Sequence, residues 1–346
     1  MASEGAWGGL ARRDSVEAVE VDLRSCSDVR GAIVGLDPAS VEVTEGYYTD
    51  TRVQAKLTTA TPDGEDGWGG GRIRVCHSWP GHREALVTGY VTDVDETVAD
   101  GLVRRTYSLD SSLYALDGDL LPWRYAFAAQ ASMLEGVRQL LGTCGREYDL
   151  AGARDRRVQS PTVYDIGESA LSVLMDVAGD TDRVGVDGEG RVTLRPYVAP
   201  SARPATATLD VAGPMVVGDV RRSTSRYSTP GRVIVTSGAG DDERCGSYDA
   251  PPEAPSSSQS RGYMVAKVEA SRSKEPTDQQ LRDEARRSWE ASQDPGDEWS
   301  LTVHWMGLHQ GDVVELVAPG TRRKCLVKGV TSSTEGMTQR LTLKGV

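Results

Sequence analysis

Phenylalanine is almost missing: one residue, Phe127, in a chain of 346 that holds seven tryptophans and twelve tyrosines. Aromatic burial must therefore rely on rings that carry an O–H or N–H. Cysteine is sparse too. The five (Cys26, Cys76, Cys144, Cys245 and Cys325) are scattered, odd in number and never spaced as CxxC, which excludes a disulfide framework and suits reduced thiols. No run approaches the roughly 18 apolar residues of a membrane span, so no membrane anchor is expected. Residues 1–13 lack an apolar stretch, which excludes a secretory signal, and 1–14 read as a flexible N-terminus. Basic charge is in deficit. The 39 Lys and Arg against 51 Asp and Glu leave a net charge of −12, which argues against a general nucleic-acid binder.

Catalytic signatures are missing as well. There is no GxSxG elbow to strain a nucleophile, and the glycines of Asp187-Gly188-Glu189-Gly190 open no helix and precede no GK[ST], so they read as a hairpin turn. The acidic run Asp241-Asp242-Glu243, and Asp180 with Asp182, lack the terminal glutamate of a calcium loop. Cys76-His77 with His82 offers zinc-type ligands. Adjacent strand residues face opposite sides, however, and a strand followed by a Pro-Gly turn is the simpler reading. His304 and His309 near Asp312 resemble a base with its orienting carboxylate, but no nucleophile accompanies them. We therefore expect no enzyme, no catalytic residues, no metal and no cofactor. Arg104-Arg105, Arg154/Arg156/Arg157, Arg221-Arg222 and Arg322-Arg323-Lys324 are interleaved with acids and read as surface pairs or partner contacts. Trp299 and Trp305 read as core first and interchain anchors second.

What is present is strand periodicity. Residues 15–119 alternate apolar and polar in short runs, such as Val53, Ala55 and Leu57 against Gln54, Lys56 and Thr58, with a glycine-rich loop at 61–71. Residues 120–204 change character. Helical spacing predicts helices over 126–141 and 165–178, followed by a hairpin over 184–194, a small α+β unit that ends in Pro196, Pro200 and Pro204. Residues 205–346 return to strands, interrupted by a long polar loop at 238–262 and a helix at 277–293, where Thr277 and Gln280 form a capping box. The chain closes on four strands. Trp299, Leu301, Val303 and Trp305 lie on one face of the first, then come 313–317, 325–330 and 337–343, an expected antiparallel meander or small barrel. The fold class is α+β, mainly β: two antiparallel β-barrel domains flanking a small α+β unit.

The helix before a closing strand, Leu308-x-x-Gly311-Asp312-Val313-Val314, Lys328-Gly329-Val330, the strand from Met337 to Leu343 and the segment Ser169 to Pro196 resemble phage tail hub proteins. These are the baseplate hubs of contractile tails and the tail-tip hubs of non-contractile ones. The resemblance implies two tail-tube-like barrels per chain and a homotrimer whose pseudo-hexameric ring adapts a six-fold tail tube to a three-fold tip. Implied partners are a distal tail or tail tube ring, a spike or tail fibre protein, and a tape-measure protein in the channel, with DNA only in transit. The implied location is the virion tail, assembled in the host bacterial cytoplasm. The chain stops at Val346 without an appended peptidase, cell-wall hydrolase or fibrous repeat, so lysis and receptor recognition are expected on other chains. An acidic chain suits a DNA conduit, and it equally suits simple solubility. Two alternatives remain: a cell-wall glycan-binding or hydrolytic β protein using the 61–71 and 238–262 loops, and the hub of a phage-derived contractile injection device.

Overall fold

The computed structural model describes residues 15–47, 52–62, 70–158, 161–179, 181–223, 229–238, 243–271, 277–292 and 298–346. The expected flexible N-terminus, most of the 61–71 loop, and Asp180, Asp241 and Asp242 lie outside them.

Seven strands come first: β1 (Ser15–Val21), β2 (Asp28–Ala32), β3 (Glu42–Gly46), β4 (Val53–Pro62), β5 (Arg72–Trp79), β6 (His82–Ala99) and β7 (Leu102–Asp110). In β4 the predicted alternation is realised, with Val53, Ala55 and Leu57 buried and Gln54 and Lys56 exposed. β6 runs to 18 residues because it serves two neighbours. Its first part pairs with β5 (Ile73↔Gly89 to Trp79↔His82), and its second pairs with β7 (Tyr90↔Asp110 to Ala99↔Leu102). The change of partner falls between Gly89 and Tyr90, and an irregularity between Val91 and Asp93 then shifts the register within the β7 ladder.

Next come α1 (Ser112–Gly118), β8 (Tyr125–Phe127), α2 (Met133–Thr143), β9 (Tyr148–Asp149), β10 (Thr162–Tyr164), α3 (Ala170–Ala178), β11 (Asp182–Val186) and β12 (Val192–Pro196). Two helix expectations need correction. The segment 126–141 is not one helix: Phe127 pairs with Thr162 in a β8–β10 ladder, and α2 starts only where the Ser132 side chain accepts the Glu135 N–H at 3.1 Å. Likewise α3 starts after Ser169, whose hydroxyl accepts the Ser172 N–H at 3.1 Å, rather than at 165, because Gly167 is left-handed at φ 89°. Helix α1 was not foreseen. Its Leu113 and Leu116 join Phe127, Val137, Leu140, Leu141, Leu174 and Leu194 in one buried cluster. The apolar periodicity is thus satisfied by three short helices against small sheets.

Strands β13 (Ala207–Asp210) and β14 (Val216–Ser223) follow, and the chain passes into a second compact unit. That unit is Val220–Ser300 with Lys344–Val346; the first is Met1–Asp219 with Leu301–Leu343. In the second unit, β15 (Arg232–Ser237) lies between antiparallel β16 (Arg244–Asp249) and parallel β17 (Ala266–Ala270), with α4 (Ser258–Arg261) before β17 and α5 (Asp278–Ser292) after it. Val233 and Val235 meet Leu281 and Ala285 of α5 in a buried cluster. The expected 238–262 loop is therefore corrected, since it contains β16 and α4. Its polarity belongs to a strand whose Gly246 approaches α5 so closely that a Cβ there would lie 2.5 Å from the Leu281 backbone. The capping box stands: Thr277 Oγ1 accepts the Gln280 N–H at 3.3 Å, and Gln280 Oε1 accepts the Thr277 N–H at 2.8 Å.

β18 (Glu298–His304) leads back to the first unit, where β19 (Val313–Ala318), β20 (Thr321–Ser333) and β21 (Thr338–Gly345) complete the chain. β19 and β20 form a hairpin, and parallel β13 adds to β19 (Ala207↔Val314), an addition the meander reading lacked. β20 is long for the same reason as β6. Its first part pairs with β19, and Gly329–Ser333 pair with Gly46–Glu42 of β3. The opening and closing strands thus share one antiparallel ladder in a 13-stranded sheet. Among the described residues no helix is long and apolar enough to cross a membrane.

Candidate functional site

Where β20 joins β3, three distant segments converge. Glu45 comes from β3, Glu84 from the start of β6, and His309 from the loop between β18 and β19. That loop is held by Gln339 of β21, which is 1% exposed. The Gln339 Oε1 accepts the N–H groups of Met306 (3.0 Å) and Leu308 (3.1 Å), and its Nε2 donates to the Leu308 carbonyl (2.9 Å). Asp312 Oδ2 accepts the His309 backbone N–H at 2.9 Å. So fixed, the imidazole places Nδ1 2.9 Å from Glu45 Oε1 and Nε2 3.5 Å from Glu84 Oε1. Glu45 Oε2 also accepts the Gln310 N–H at 3.1 Å.

The two carboxylates, Glu45 foremost, push the His309 pKa up to about 10, against partial burial. Its hydrogen bond in turn holds Glu84 below the usual carboxylate range. An imidazolium with both ring nitrogens directed at carboxylates has no lone pair with which to take a proton at neutral pH. The triad is an electrostatic clasp across a strand junction. A cleft of about 400 Å³ opens beside it, bordered by the β11–β12 hairpin.

The turn of that hairpin makes a second junction. Gly190 N–H and Arg191 N–H both return to Asp187, at 2.9 Å to its carbonyl and 2.8 Å to its carboxylate, which closes the tight turn read from the sequence. The turn sits on β5 and β6. Thr88 Oγ1 donates to the Gly188 carbonyl at 2.7 Å, and Ser112 Oγ donates to the Gly190 carbonyl at 2.6 Å. Arg74, buried in β5, reaches Glu189 at 2.9 Å, Asp28 at 2.7 Å and the Cys26 carbonyl at 2.6 Å. Arg72 reaches the carbonyls of Asp22 and Ser25 at 3.0 and 2.8 Å. The turn covers the outer face of β5, which is why these arginines are buried on a strand whose other face is apolar.

The sequence candidates fall out as follows. His309 and Asp312 are neighbours, but Asp312 fixes the loop backbone and the ring goes to Glu45 and Glu84, which the sequence reading missed. His304 is exposed at the end of β18. Cys76 and His77 are both buried. Burial pushes the Cys76 thiol up to about 11, so it is a protonated thiol, and the His77 ring packs against Trp79 (4.9 Å) and Trp305 (5.1 Å). His82 stacks on Trp79 at 5.3 Å. Among the described residues no group of three or more His, Cys, Asp or Glu is arranged to hold a metal ion. Trp299 and Trp305 are buried. Several of the arginines pair with acids: Arg105 with Glu96 (2.9 Å), Arg156 with Asp182 (3.3 Å) and Arg322 with Glu315 (2.8 Å).

No protein-family model and no curated protein matches the sequence. Solved structures match the fold. A tail protein from Neisseria meningitidis MC58 aligns with TM-score 0.66 over 96% of this chain and 96% of its own, at 13% identity. The 43 kDa tail protein of prophage MuSo2 from Shewanella oneidensis gives 0.67 over 95% and 96%, at 12% identity. A type VI secretion system component from E. coli, described as structurally similar to the bacteriophage T4 tail proteins gp27 and gp5, gives 0.52 over 98% of this chain and 76% of its own, at 10% identity. The chain has the fold of these phage tail proteins: α+β, mainly β, built on large antiparallel sheets. The resemblance read from the sequence is thus matched by fold.

Proposed function

We propose that this chain is a structural protein of a phage tail: the hub at the tail tip, three copies of which form a ring that adapts a six-fold tube to a three-fold tip. The observation that carries this reading is the fold likeness to tail proteins over 95% or more of this chain and about the same share of theirs. In this reading the two strand-rich blocks, 15–119 and 205–346, act as tube-like modules, and the α+β unit at 120–204 braces them. Their linkage through β3 and β20 gives a stiff wall suited to a channel, and the product of the fold is geometry rather than turnover. The partners are a distal tail or tube ring, a spike or fibre, and a tape-measure protein in the channel, with DNA passing through. The work is mechanical, with no catalytic residue assigned, and the location is the virion tail.

Light scattering on the purified chain tests the oligomer. A trimer at micromolar concentration is expected, and a monomer that persists at the highest soluble concentration overturns the ring. Placement in an electron-microscopy map of the assembled particle tests the position. A second reading, the hub of a contractile injection device, draws on the likeness to the E. coli secretion component. A particle without packaged DNA separates it from the first.

A further inference from the structure

Arg183 of β11 is half-buried, and its guanidinium carbon lies over the rings of Tyr47 at 4.7 Å and Tyr197 at 4.8 Å. Among the described residues no carboxylate, carbonyl or hydroxyl meets its N–H groups. It lines the cleft of about 400 Å³ beside the His309 clasp. The other charges on that lining are engaged within the protein. Arg195 pairs with Asp149 at 2.6 Å, Asp187 with Arg191 at 2.8 Å, and Glu45 and Glu84 with His309. Arg52 donates to the Tyr47 carbonyl. Four cations (Arg52, Arg183, Arg195, His309) stand against three anions (Glu45, Glu84, Asp187), an excess of one positive charge.

We propose that this cleft is a binding site for a single carboxylate, received on the N–H edge of the Arg183 guanidinium. Two rings already fix the plane of the fork, so little side-chain freedom is left to lose when it binds, and a planar fork matches a carboxylate in bidentate fashion. The neighbouring Glu45 and Glu84 carboxylates select against a dianion, so inorganic phosphate is disfavoured while one negative charge balances the lining. A free organic acid and an acidic side chain of another polypeptide share this chemistry. The inference does not depend on the tail reading.

The test is a titration of the full chain, with arginine side-chain nitrogens isotope-labelled, followed at the Arg183 Nε–H resonance. The probes are sodium propionate, N-acetylglutamate α-amide and inorganic phosphate, at matched ionic strength. Saturable shifts with both carboxylates at millimolar concentration, and none with phosphate, are expected. An N-acetylglutamate α-amide midpoint at least tenfold lower than that of propionate assigns the site to a polypeptide side chain, and equal midpoints assign it to a free acid. Arg183→Lys, which keeps the charge and loses the fork, is expected to weaken binding at least tenfold by calorimetry with an unchanged melting temperature. No saturable shift in the wild-type chain, an equal response to phosphate, or equal affinity in Arg183→Lys overturns the proposal.

Discussion

The turn Asp187–Gly190 and the loop 305–312 both join parts of the first unit that are distant in sequence, and they do so differently. The turn is seated by close backbone approach and by two arginines with almost no exposure, Arg72 at 2% and Arg74 at 4%. The loop is seated by a buried amide, Gln339, and then clasped by an imidazolium that keeps 46% of its side-chain surface exposed. Burial makes the first junction unforgiving: a group removed there leaves partners that water cannot satisfy. Exposure makes the second adjustable, because solvent screens what the charges do and pH can switch them. A unit in which one junction is rigid and the other titrates has a defined place to yield.

The largest effect is expected at Gly188. A Cβ on that residue would lie 1.8 Å from the Ala85 carbonyl oxygen, and both sides of that contact are backbone. Gly188→Val should lower stability by about 3 kcal/mol or more, or undock the hairpin altogether. A chemical-denaturation curve measures this, and a loss under about 1 kcal/mol would remove the close approach from the comparison. Arg74→Met comes next. It deletes the shared partner of Asp28 and Glu189 and the donor to the Cys26 carbonyl, for about 2–3 kcal/mol. Asp28→Asn keeps an oxygen that can accept from Arg74 and leaves Glu189 in place, so it should cost clearly less than Arg74→Met by the same curves.

The clasp gives a smaller, pH-dependent effect. His309 has its pKa raised in the fold to about 10, against an ordinary 6.5. The folded state therefore binds the proton more tightly. Its contribution to stability is complete below about pH 6.5, declines through the interval above and is gone once pH passes about 10. With half the ring exposed, the effect is screened to about 1 kcal/mol. Measured as the difference between wild type and His309→Gln, it should be present at pH 6 and absent at pH 10.5. A difference that grows with pH would have the wrong sign and would end the clasp.

Local chemistry explains what could be read in advance. The alternation in β4, the apolar face of β18 and the Thr277–Gln280 capping box each depend on residues within one element, and each is found. The Asp187–Gly190 turn is local in the same sense. By contrast, Phe127 looks helical by spacing and becomes a strand residue only because Thr162 lies across from it. The strand β16 was hidden because its inward glycine, Gly246, carries no apolar signal. Glu45 and Glu84 could not be tied to His309 by any spacing rule. They meet only once β3 has found β20, a pairing separated by nearly the whole chain. The missed signal was Gln339, an amide at a position in β21 whose neighbours Leu341 and Leu343 are buried, for a polar residue on an inward face needs a loop to hold.

The smallest expected effect isolates burial from geometry. Arg322 grips Glu315 through two parallel contacts, Nε to Oε1 and Nη2 to Oε2, both at 2.8 Å across the β19–β20 hairpin. By distance this pair equals those of Arg74. By environment it does not, since the Arg322 side chain is 68% exposed, where water and salt compete for both partners. If bond length decided stability, Arg322→Gln would cost as much as Arg74→Met. If burial decides, Arg322→Gln leaves the denaturation midpoint within measurement error at 0.15 M salt, and that is the outcome expected. A clear loss there would mean that this hairpin face is covered by another chain in solution. Repeating the measurement across a dilution series that dissociates the oligomer would then show the loss disappear.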